Sequence, residues 1–249
     1  MKKNKLNLLI VGATSGIMNA CLQNFINKKY NIFASYAGKK SILLINKKVK
    51  QSKNIKFFKL DLTISQDKIY KILKKNKIKA DIIINAVGGS FGIKNYPYKL
   101  KEWNKSLDLN ILKHIAINNF FLKTMTNKKF GRILFFSSSA VDDPNSSITY
   151  STSKAFLENY VKKSSVLFGK HNVLINCIKT SIIAAKNNNW YKAKINNPKK
   201  VKKIEEKFMS VKKIGTPEDL IDLINLTIDS KNKFLNGSII KADGGIKFL

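Results

Sequence analysis

Short apolar runs alternate with amphipathic stretches along almost the entire chain of 249 residues. The apolar runs have the length of buried strands, and they lie at 6–11, 31–35, 55–60, 81–86, 132–137, 173–178 and 238–241. The stretches between them are helix-like, and they lie at 16–29, 39–51, 65–77, 99–127, 150–169 and 217–229. This alternation predicts right-handed βαβ units, in which helices cover both faces of a parallel sheet. Because the sequence shows no repeat and no low-complexity linker, we expect residues 1–249 to form one doubly wound α/β domain.

One segment, 182–213, does not follow this pattern. It is long, polar and rich in lysine, and it contains Pro198. It follows the carboxyl end of a predicted strand, which is where open α/β sheets bind their ligands. Long excursions of this kind are usually functional or disordered. We expect residues 184–213 to form a substrate lid, and the alternative is a pair of helices packed on the surface.

A glycine-rich turn follows the first predicted strand and opens the first predicted helix. It contains Gly12 and Gly16, separated by Ala13, Thr14 and Ser15. Glycines at such a turn let backbone amides approach a pyrophosphate, and the helix N-terminus adds a favourable dipole. The position of the turn therefore predicts a dinucleotide site, although the spacing differs from the familiar G-x-G-x-x-G.

Tyr150 and Lys154 are four residues apart in a predicted helix, so both side chains lie on one face. A cation beside a phenol favours the phenolate. We therefore expect the pKa of Tyr150 to lie below its ordinary value of ~10. Such a pair can transfer protons in carbonyl chemistry.

Several of these motifs occur in one order and spacing that resembles the short-chain dehydrogenase/reductases of about 250 residues, which have a Rossmann-like fold. The matching stretches are Gly12 to Met18, Asn85-Ala86-Val87-Gly88, Asn110, Ser138, Tyr150 to Lys154, and the C-terminal IGTPEDL and FLNGSIIKADGG. Three positions depart from the family pattern: Met18 replaces a glycine, Ala86 an asparagine, and Thr180-Ser181 a proline-glycine pair.

The resemblance implies four catalytic residues. Tyr150 would be the general acid in reduction and the base in oxidation, and Lys154 would favour its phenolate and hold the nicotinamide ribose. Ser138 would hydrogen-bond the substrate oxygen; it is preferred over Ser137 and Ser139 because it lies seven residues after Gly131. Asn110 would hold a water of a proton relay. His114 and His171 are expected at the surface or at helix ends, without a role.

The resemblance also implies a set of cofactor contacts. These residues are Gly12, Thr14, Ser15, Gly16, Ile17, Ser35, Lys39, Asp61, Leu62, Asn85, Ala86, Gly88, Tyr150, Lys154 and Ile183. Asp61 would hydrogen-bond the adenine. No acidic residue follows the second predicted strand, where a carboxylate would select NAD. Ser35 and Lys39 could instead hold a 2′-phosphate, so NADP(H) is favoured over NAD(H).

The composition affects the choice of partner. The chain has 47 basic and 15 acidic residues, for a formal net charge of +32. Arg132 is its single arginine, and the lysines are spread through every segment, whereas proteins that read bases rely on arginine. We therefore expect a solvated basic surface and no specific nucleic-acid partner. Such a surface would attract acidic substrates or an acidic carrier protein.

Cysteine usage and hydropathy indicate a cytoplasmic protein. Cys21 and Cys177 lie in apolar contexts without metal-ligand spacing, so we expect reduced thiols and no metal site. The apolar run near the N-terminus is too short for a signal peptide. No apolar stretch approaches the ~18 residues of a membrane span, so no membrane partner is expected.

Three functions remain open on this sequence. The first is NAD(P)H-dependent reduction of a carbonyl, or the reverse reaction, with a 3-oxoacyl thioester as one substrate. The second is action on a sugar or sugar nucleotide, because the stretch 187–220 resembles relatives of surface-sugar biosynthesis. The third is a catalytically weak nucleotide- or RNA-binding protein. The family resemblance also implies a homo-oligomer, which we expect to be a tetramer.

Overall fold

The computed structural model describes residues 5–28, 30–93, 96–186 and 188–248. Within these residues seven parallel strands form one sheet in the order β3-β2-β1-β4-β5-β6-β7. The strands are β1 (Leu6–Val11), β2 (Tyr30–Tyr36), β3 (Ile55–Lys59), β4 (Ile82–Asn85), β5 (Gly131–Ser138), β6 (Val173–Thr180) and β7 (Ile239–Ala242). The predicted fold class, a doubly wound parallel sheet, is confirmed. The strand order reverses between β1 and β4, and this switch point is where such sheets bind their ligands.

The helices cover the two faces of the sheet. They are α1 (Gly16–Ile26), α2 (Lys39–Leu43), α3 (Lys47–Lys50), α4 (Gln66–Lys75), α5 (Leu100–Leu107), α6 (Lys113–Lys128), α7 (Ile148–Gly169), α8 (Asn189–Asn196), α9 (Pro198–Phe208) and α10 (Glu218–Ile228). The helix predicted at 39–51 is divided into α2 and α3. The division lies at Asn46, which has extended backbone angles and accepts a hydrogen bond from the Lys48 amide, so that a new helix begins there.

Two apolar cores lie on opposite faces of the sheet, because successive side chains of a strand point in opposite directions. In β1, Leu9 and Val11 join the core beneath α4, α6 and α7, whereas Leu8 and Ile10 join the core beneath α1 and α10. All four side chains are fully buried. The alternation explains why β1 reads as a continuous apolar run in the sequence.

The single arginine, Arg132, supports the fold from the inside. Its side chain is buried, and its guanidinium donates hydrogen bonds to the backbone carbonyls of Asn172, Asp229 and Asn232. It also lies 4.6 Å from the centre of the Phe130 ring. These contacts tie the start of β5 to the turns that follow α7 and α10. Arginine suits this position because its planar fork can satisfy several carbonyls at once.

The segment that did not fit the strand–helix pattern contains α8 and α9. Both helices begin at asparagine caps: Asn188 accepts from the Tyr191 amide, and Asn197 accepts from the Lys200 amide. A small apolar cluster of Ala184, Val201, Met209 and Ile214 lies beneath them, with Trp190 packed against it. Among the described residues, no helix combines the length and apolar character needed to cross a membrane.

Candidate active site

Two cavities lie side by side at the carboxyl ends of the central strands. One has a volume of about 200 Å³ and contains Tyr150 and Lys154 in its wall. The other has a volume of about 360 Å³ and contains Asp61 and Leu62 in its wall. The residues that line both are Ser15, Ala86, Val87 and Gly88. The two cavities therefore form one elongated groove, which passes over the N-terminus of α1.

The glycine turn fits closely into this groove. Gly12 has a φ of +85°, a conformation that side-chain-bearing residues rarely adopt, and an added Cβ would lie 2.5 Å from Val87 Cγ2. A Cβ at Gly16 would lie 2.6 Å from Ala185 Cβ. Ser15 caps α1 by accepting a hydrogen bond from the Met18 amide at 3.4 Å. The turn thus presents backbone amides at a helix N-terminus, which is an arrangement suited to a pyrophosphate.

Met18 does not obstruct the groove. Its side chain is fully buried and packs in the apolar core with Cys21 and Leu22. It lines neither cavity. The departure from glycine at this position therefore changes the packing beneath α1 rather than the wall that would face a nucleotide.

The cavity at the outer end of the groove is lined by four of the predicted cofactor contacts, Gly12, Thr14, Asp61 and Leu62. One carboxylate oxygen of Asp61 accepts hydrogen bonds from the Thr63 amide at 2.9 Å and from the Thr63 hydroxyl at 2.8 Å. These bonds orient the carboxylate at the mouth of the cavity. Ile17, another predicted contact, lines the cavity at the inner end together with Tyr150.

Three predicted cofactor contacts lie outside both cavity walls. Ser35 is buried, and its hydroxyl accepts a hydrogen bond from the Gly12 amide at 2.9 Å, so it supports the glycine turn instead of facing a phosphate. Ile183 is buried against Gly215 and lines neither cavity. Lys39 is exposed at the start of α2, and it also lies outside both cavity walls.

A fourth predicted cofactor contact, Asn85, is buried beneath the loop that carries Ala86 to Gly88. Its amide contacts Asn118, the Leu134 carbonyl and the imidazole of His114. His114 was expected at the surface or at a helix end, and it lies at the start of α6 with its ring buried. Its Nε2 lies 2.9 Å from the Val87 carbonyl oxygen. Burial lowers the pKa of His114 to about 4, so the ring is neutral and its Nε2 hydrogen can be donated to Val87.

Tyr150 and Lys154 lie one helical turn apart on α7, and both line the inner cavity. The Lys154 ammonium donates to the Phe136 carbonyl at 2.8 Å and lies 5.8 Å from the centre of the Tyr150 ring. Burial lowers the pKa of Lys154 to about 8. Burial also raises the pKa of Tyr150, and the neighbouring Ser138 hydroxyl acts in the opposite direction. The expected lowering of the Tyr150 pKa is therefore wrong for this structure, because burial outweighs the hydrogen bond with Ser138.

The three consecutive serines at the end of β5 have different surroundings. The Ser137 hydroxyl is buried and donates to a Glu158 carboxylate oxygen at 2.6 Å. Ser139 is buried as well. Ser138 is half-buried beside Tyr150, and its hydroxyl accepts from the Ala140 amide at 3.2 Å. Of the three serines, Ser138 has its hydroxyl next to Tyr150, whereas Ser137 contributes to the wall of the inner cavity.

Asn110 lies in a single turn of π-helix, Asp108–Leu112, between α5 and α6. Its side chain accepts from the Gly89 amide at 2.9 Å and donates to the Gly89 carbonyl at 3.1 Å. An added Cβ at Gly88 would lie 2.9 Å from the Lys154 ammonium and 3.0 Å from Asn110 Oδ1. Gly88 thus lets Asn110 and Lys154 approach each other, and π-turns are frequent at functional sites.

Sequence reasoning did not find some residues that line the inner cavity. These are Thr180 at the end of β6, and Ala185 and Asn188 in the segment before α8. Asn188 also donates to the Ile183 carbonyl at 2.7 Å, which folds this segment over the glycine turn. Their position after strand β6 was the available signal, but the sequence does not show which side of the segment faces the groove.

The fold and the groove are those expected of a dinucleotide-binding α/β protein. The model of the short chain dehydrogenase family matches residues 7–196, which is most of the chain. The chain belongs to this family.

Relatives and solved structures agree with the assignment. The chain is 25% identical to 3-oxoacyl-(acyl-carrier-protein) reductase FabG of Buchnera aphidicola subsp. Schizaphis graminum, and the match covers 99% of both chains. It is 24% identical to L-rhamnose 1-dehydrogenase (NADP(+)) of Thermoplasma acidophilum over 96% of this chain and 95% of the relative. The structure of ElxO with NADP bound superposes with a TM-score of 0.82 at 25% identity, covering 97% of this chain and 98% of the other.

Proposed function

We propose that this protein is an NADPH-dependent reductase that converts a carbonyl to an alcohol, with Tyr150 as the proton donor. The observation that supports this proposal is that one cavity, the inner one, is lined both by residues of the glycine turn and by Tyr150 with Lys154. A cofactor held at the turn would place its reactive end beside the phenol. The chain 1–249 is taken to act as one domain.

The groove fits a nicotinamide dinucleotide on geometric grounds. Gly12, Gly16 and Gly88 contribute to the groove walls, and an added Cβ at any of them would meet other protein atoms at 2.5 to 2.9 Å. The turn and the Ser15-capped helix would hold the pyrophosphate, and Asp61 and Leu62 would hold the adenine. The nicotinamide supplies the hydride that reduces the carbonyl carbon.

The residues in and around the inner cavity would then each have a separate role in the reaction. Ser138 donates a hydrogen bond to the substrate oxygen as negative charge develops on it. Tyr150 gives its phenolic proton to that oxygen, and in oxidation the phenolate takes the proton back. Lys154 holds the ribose beside the nicotinamide and stabilises the phenolate once the proton has left. Asn110 keeps the loop at Gly89 in place and holds a water that returns a proton towards Lys154.

NADP(H) is proposed as the cofactor rather than NAD(H). No carboxylate follows β2, where Tyr36, Ala37 and Gly38 lead to Lys39 and Lys40. Both lysines are exposed, so they are free to approach a 2′-phosphate when a cofactor binds. The NADP-specific name of one relative and the NADP bound in one structural relative support this choice.

The substrate is proposed to be a 3-oxoacyl thioester, and a sugar carbonyl is the second candidate. The full-length match to a 3-oxoacyl reductase supports the first, and the basic surface would suit an acidic acyl carrier protein. The second is favoured by a cavity of about 510 Å³ on the outer side of Tyr150. Its wall contains uncharged polar side chains, among them Ser90, Tyr98 and Asn145, which are suited to hydroxyl groups.

The test is turnover of NADPH with a panel of carbonyls at fixed salt. The panel includes a 3-oxoacyl thioester, a sugar substrate (a sugar lactone or a keto-sugar) and a simple reactive ketone. We expect turnover with at least one member, and the preferred member separates the two substrate classes. A catalytically weak nucleotide-binding protein would bind NADPH and turn over none of them.

The assembly is proposed to be a homotetramer in the cytoplasm. The helix α7 exposes large apolar side chains at Phe156, Val166 and Leu167, which a symmetric partner could cover. Val166 is 81% exposed, an unusual state for a large apolar residue on a long helix.

A further inference from the structure

A small network of charged and polar side chains lies directly beneath Ser138, and four parts of the fold contribute to it. They are Ser137 in β5, Asp142 in the turn that follows, Glu158 in α7 and Lys179 in β6. The Lys179 ammonium lies 2.8 Å from an Asp142 carboxylate oxygen and 3.3 Å from a Glu158 carboxylate oxygen. The same Glu158 oxygen accepts the hydrogen bond from the Ser137 hydroxyl.

Three members of the network lie in the protein interior, and the fourth, Asp142, has a side chain that is 45% exposed. Lys179 is 5% exposed and Ser137 is 3% exposed, and the Glu158 side chain is 13% exposed. The two carboxylates raise the pKa of Lys179 although its partial burial acts in the opposite direction. A charge in such a place is tolerated only when it is paired, because its desolvation is costly. Lys179 lies on β6, between β5 and β7, so its paired charge is not that of a solvated surface lysine.

The network holds the backbone on both sides of Ser138. Before Ser138, the Ser137 side chain is fixed by Glu158, and Ser137 lies opposite Lys179 in the β5–β6 ladder. After Ser138, a short 3-10 turn, Ser139–Val141, ends at Asp142, which Lys179 holds. Ser138 itself caps this turn by accepting from the Ala140 amide. Both ends of the segment that carries the Ser138 hydroxyl are thus joined to one ammonium.

We propose that Lys179, with Glu158 and Asp142, is a positioning device that sets the direction of the Ser138 hydroxyl towards the substrate oxygen. The proposal rests on the proposed reductase function, in which Ser138 stabilises charge on that oxygen. Lys179 does not touch the reacting atoms; it acts through the turn. When the turn loosens, Ser138 loses its alignment, and a misplacement of about 1 Å can cost on the order of 10²-fold in rate.

Two variants separate positioning from support of the fold. Lys179→Met leaves Glu158 without its cation, so it should lower the Tm and lower kcat by about tenfold or more. Adding Glu158→Gln removes the second buried charge and keeps an acceptor for Ser137. The double variant should regain most of the lost Tm but not the lost kcat. The Kd for NADPH should stay within about twofold in both, because the glycine turn is untouched.

A matched control lies at the opposite end of the sheet. Lys128 pairs with the buried carboxylate of Asp81 at 2.8 Å, just before β4 begins. Lys128→Met should lower the Tm in the same way and leave kcat unchanged. If Lys179→Met keeps the kcat of the unchanged protein, or if kcat returns together with Tm in the double variant, the network only supports the fold.

Hydrogen exchange gives a readout that does not depend on the reaction. Amides of residues 138–142 should exchange about tenfold faster in both Lys179 variants than in the unchanged protein, and those of residues 131–135 should not change. If the unchanged protein shows no turnover with any carbonyl, the proposed function fails, and the exchange result alone decides the positioning role. Unchanged exchange in 138–142 would then overturn it.

Discussion

Lys154→Met is expected to stabilise the protein at neutral pH while removing its activity. The ammonium of Lys154 is buried, and burial lowers its pKa from 10.5 to about 8. A lysine whose pKa is lower in the folded state is protonated more easily after unfolding. Its charge therefore opposes folding below pH 8, and stability should rise as the pH increases from 8 towards 10.5.

The magnitude follows from this difference. A shift from 10.5 to about 8 is about 2.5 units, and each unit corresponds to ~1.4 kcal/mol, so the charge costs about 3 kcal/mol at pH 7. By pH 9 the cost should fall to about 2 kcal/mol, because the folded protein has released most of this proton. Methionine removes the charge and loses the hydrogen bond to the Phe136 carbonyl, which is worth about 1 kcal/mol. The net gain at pH 7 is about 2 kcal/mol.

The assay is urea unfolding of the unchanged protein and the variant at pH 7 and pH 9. The stability advantage of Lys154→Met should shrink by about 1 kcal/mol between these two pH values. Lys163→Met is the matched control, because Lys163 lies on the same helix but is exposed. An advantage for Lys154→Met that is equal at both pH values, or a variant that is less stable at pH 7, would refute the reasoning.

Three further predictions concern cofactor, assembly and the segment after β6. The ratio of kcat/KM for NADPH to that for NADH, measured at fixed moderate salt, should exceed 1, and equal values or a preference for NADH would remove the argument from the missing carboxylate. Light scattering at 150 mM salt, where the Debye length is ~8 Å, should give a tetramer, and a monomer there and at higher salt would contradict the proposed assembly. NADPH with a true substrate should slow hydrogen exchange across 184–213, and Trp190→Ala should raise KM or lower kcat with little loss of Tm. If ligand does not change the hydrogen exchange of 184–213, and if Trp190→Ala unfolds the protein, this segment is part of the scaffold.

The fold could be predicted because its signals are local. Most strands are largely apolar and most helices between them show helical spacing, so the parallel sheet follows from their alternation. The helix predicted at 39–51 was wrong in one respect, since Asn46 interrupts it. An asparagine is common in this chain, and only the backbone angles reveal that this one begins a new helix.

Only part of the candidate site could be predicted from local sequence signals. Tyr150, Lys154 and the glycine turn lie within single elements, and their spacing is visible in the sequence. Residues that act across elements were not recognised. His114 appeared to be a surface residue because its partners, Asn85 and Val87, are distant in sequence. The direction of the Tyr150 pKa shift was also missed, because burial depends on the whole fold.

The central claim is that Tyr150 delivers the proton in a carbonyl reduction, and Tyr150→Phe tests it most directly. The measurement is kcat for NADPH oxidation with the best carbonyl of the panel, together with the Kd for NADPH. Tyr160→Phe is the matched control, because Tyr160 lies on the same helix and packs against Phe135, away from both cavities. The account predicts that Tyr150→Phe keeps NADPH binding and loses ~10²–10⁴-fold in kcat, while Tyr160→Phe keeps its rate. A Tyr150→Phe protein that retains more than about half of the original kcat would contradict the account.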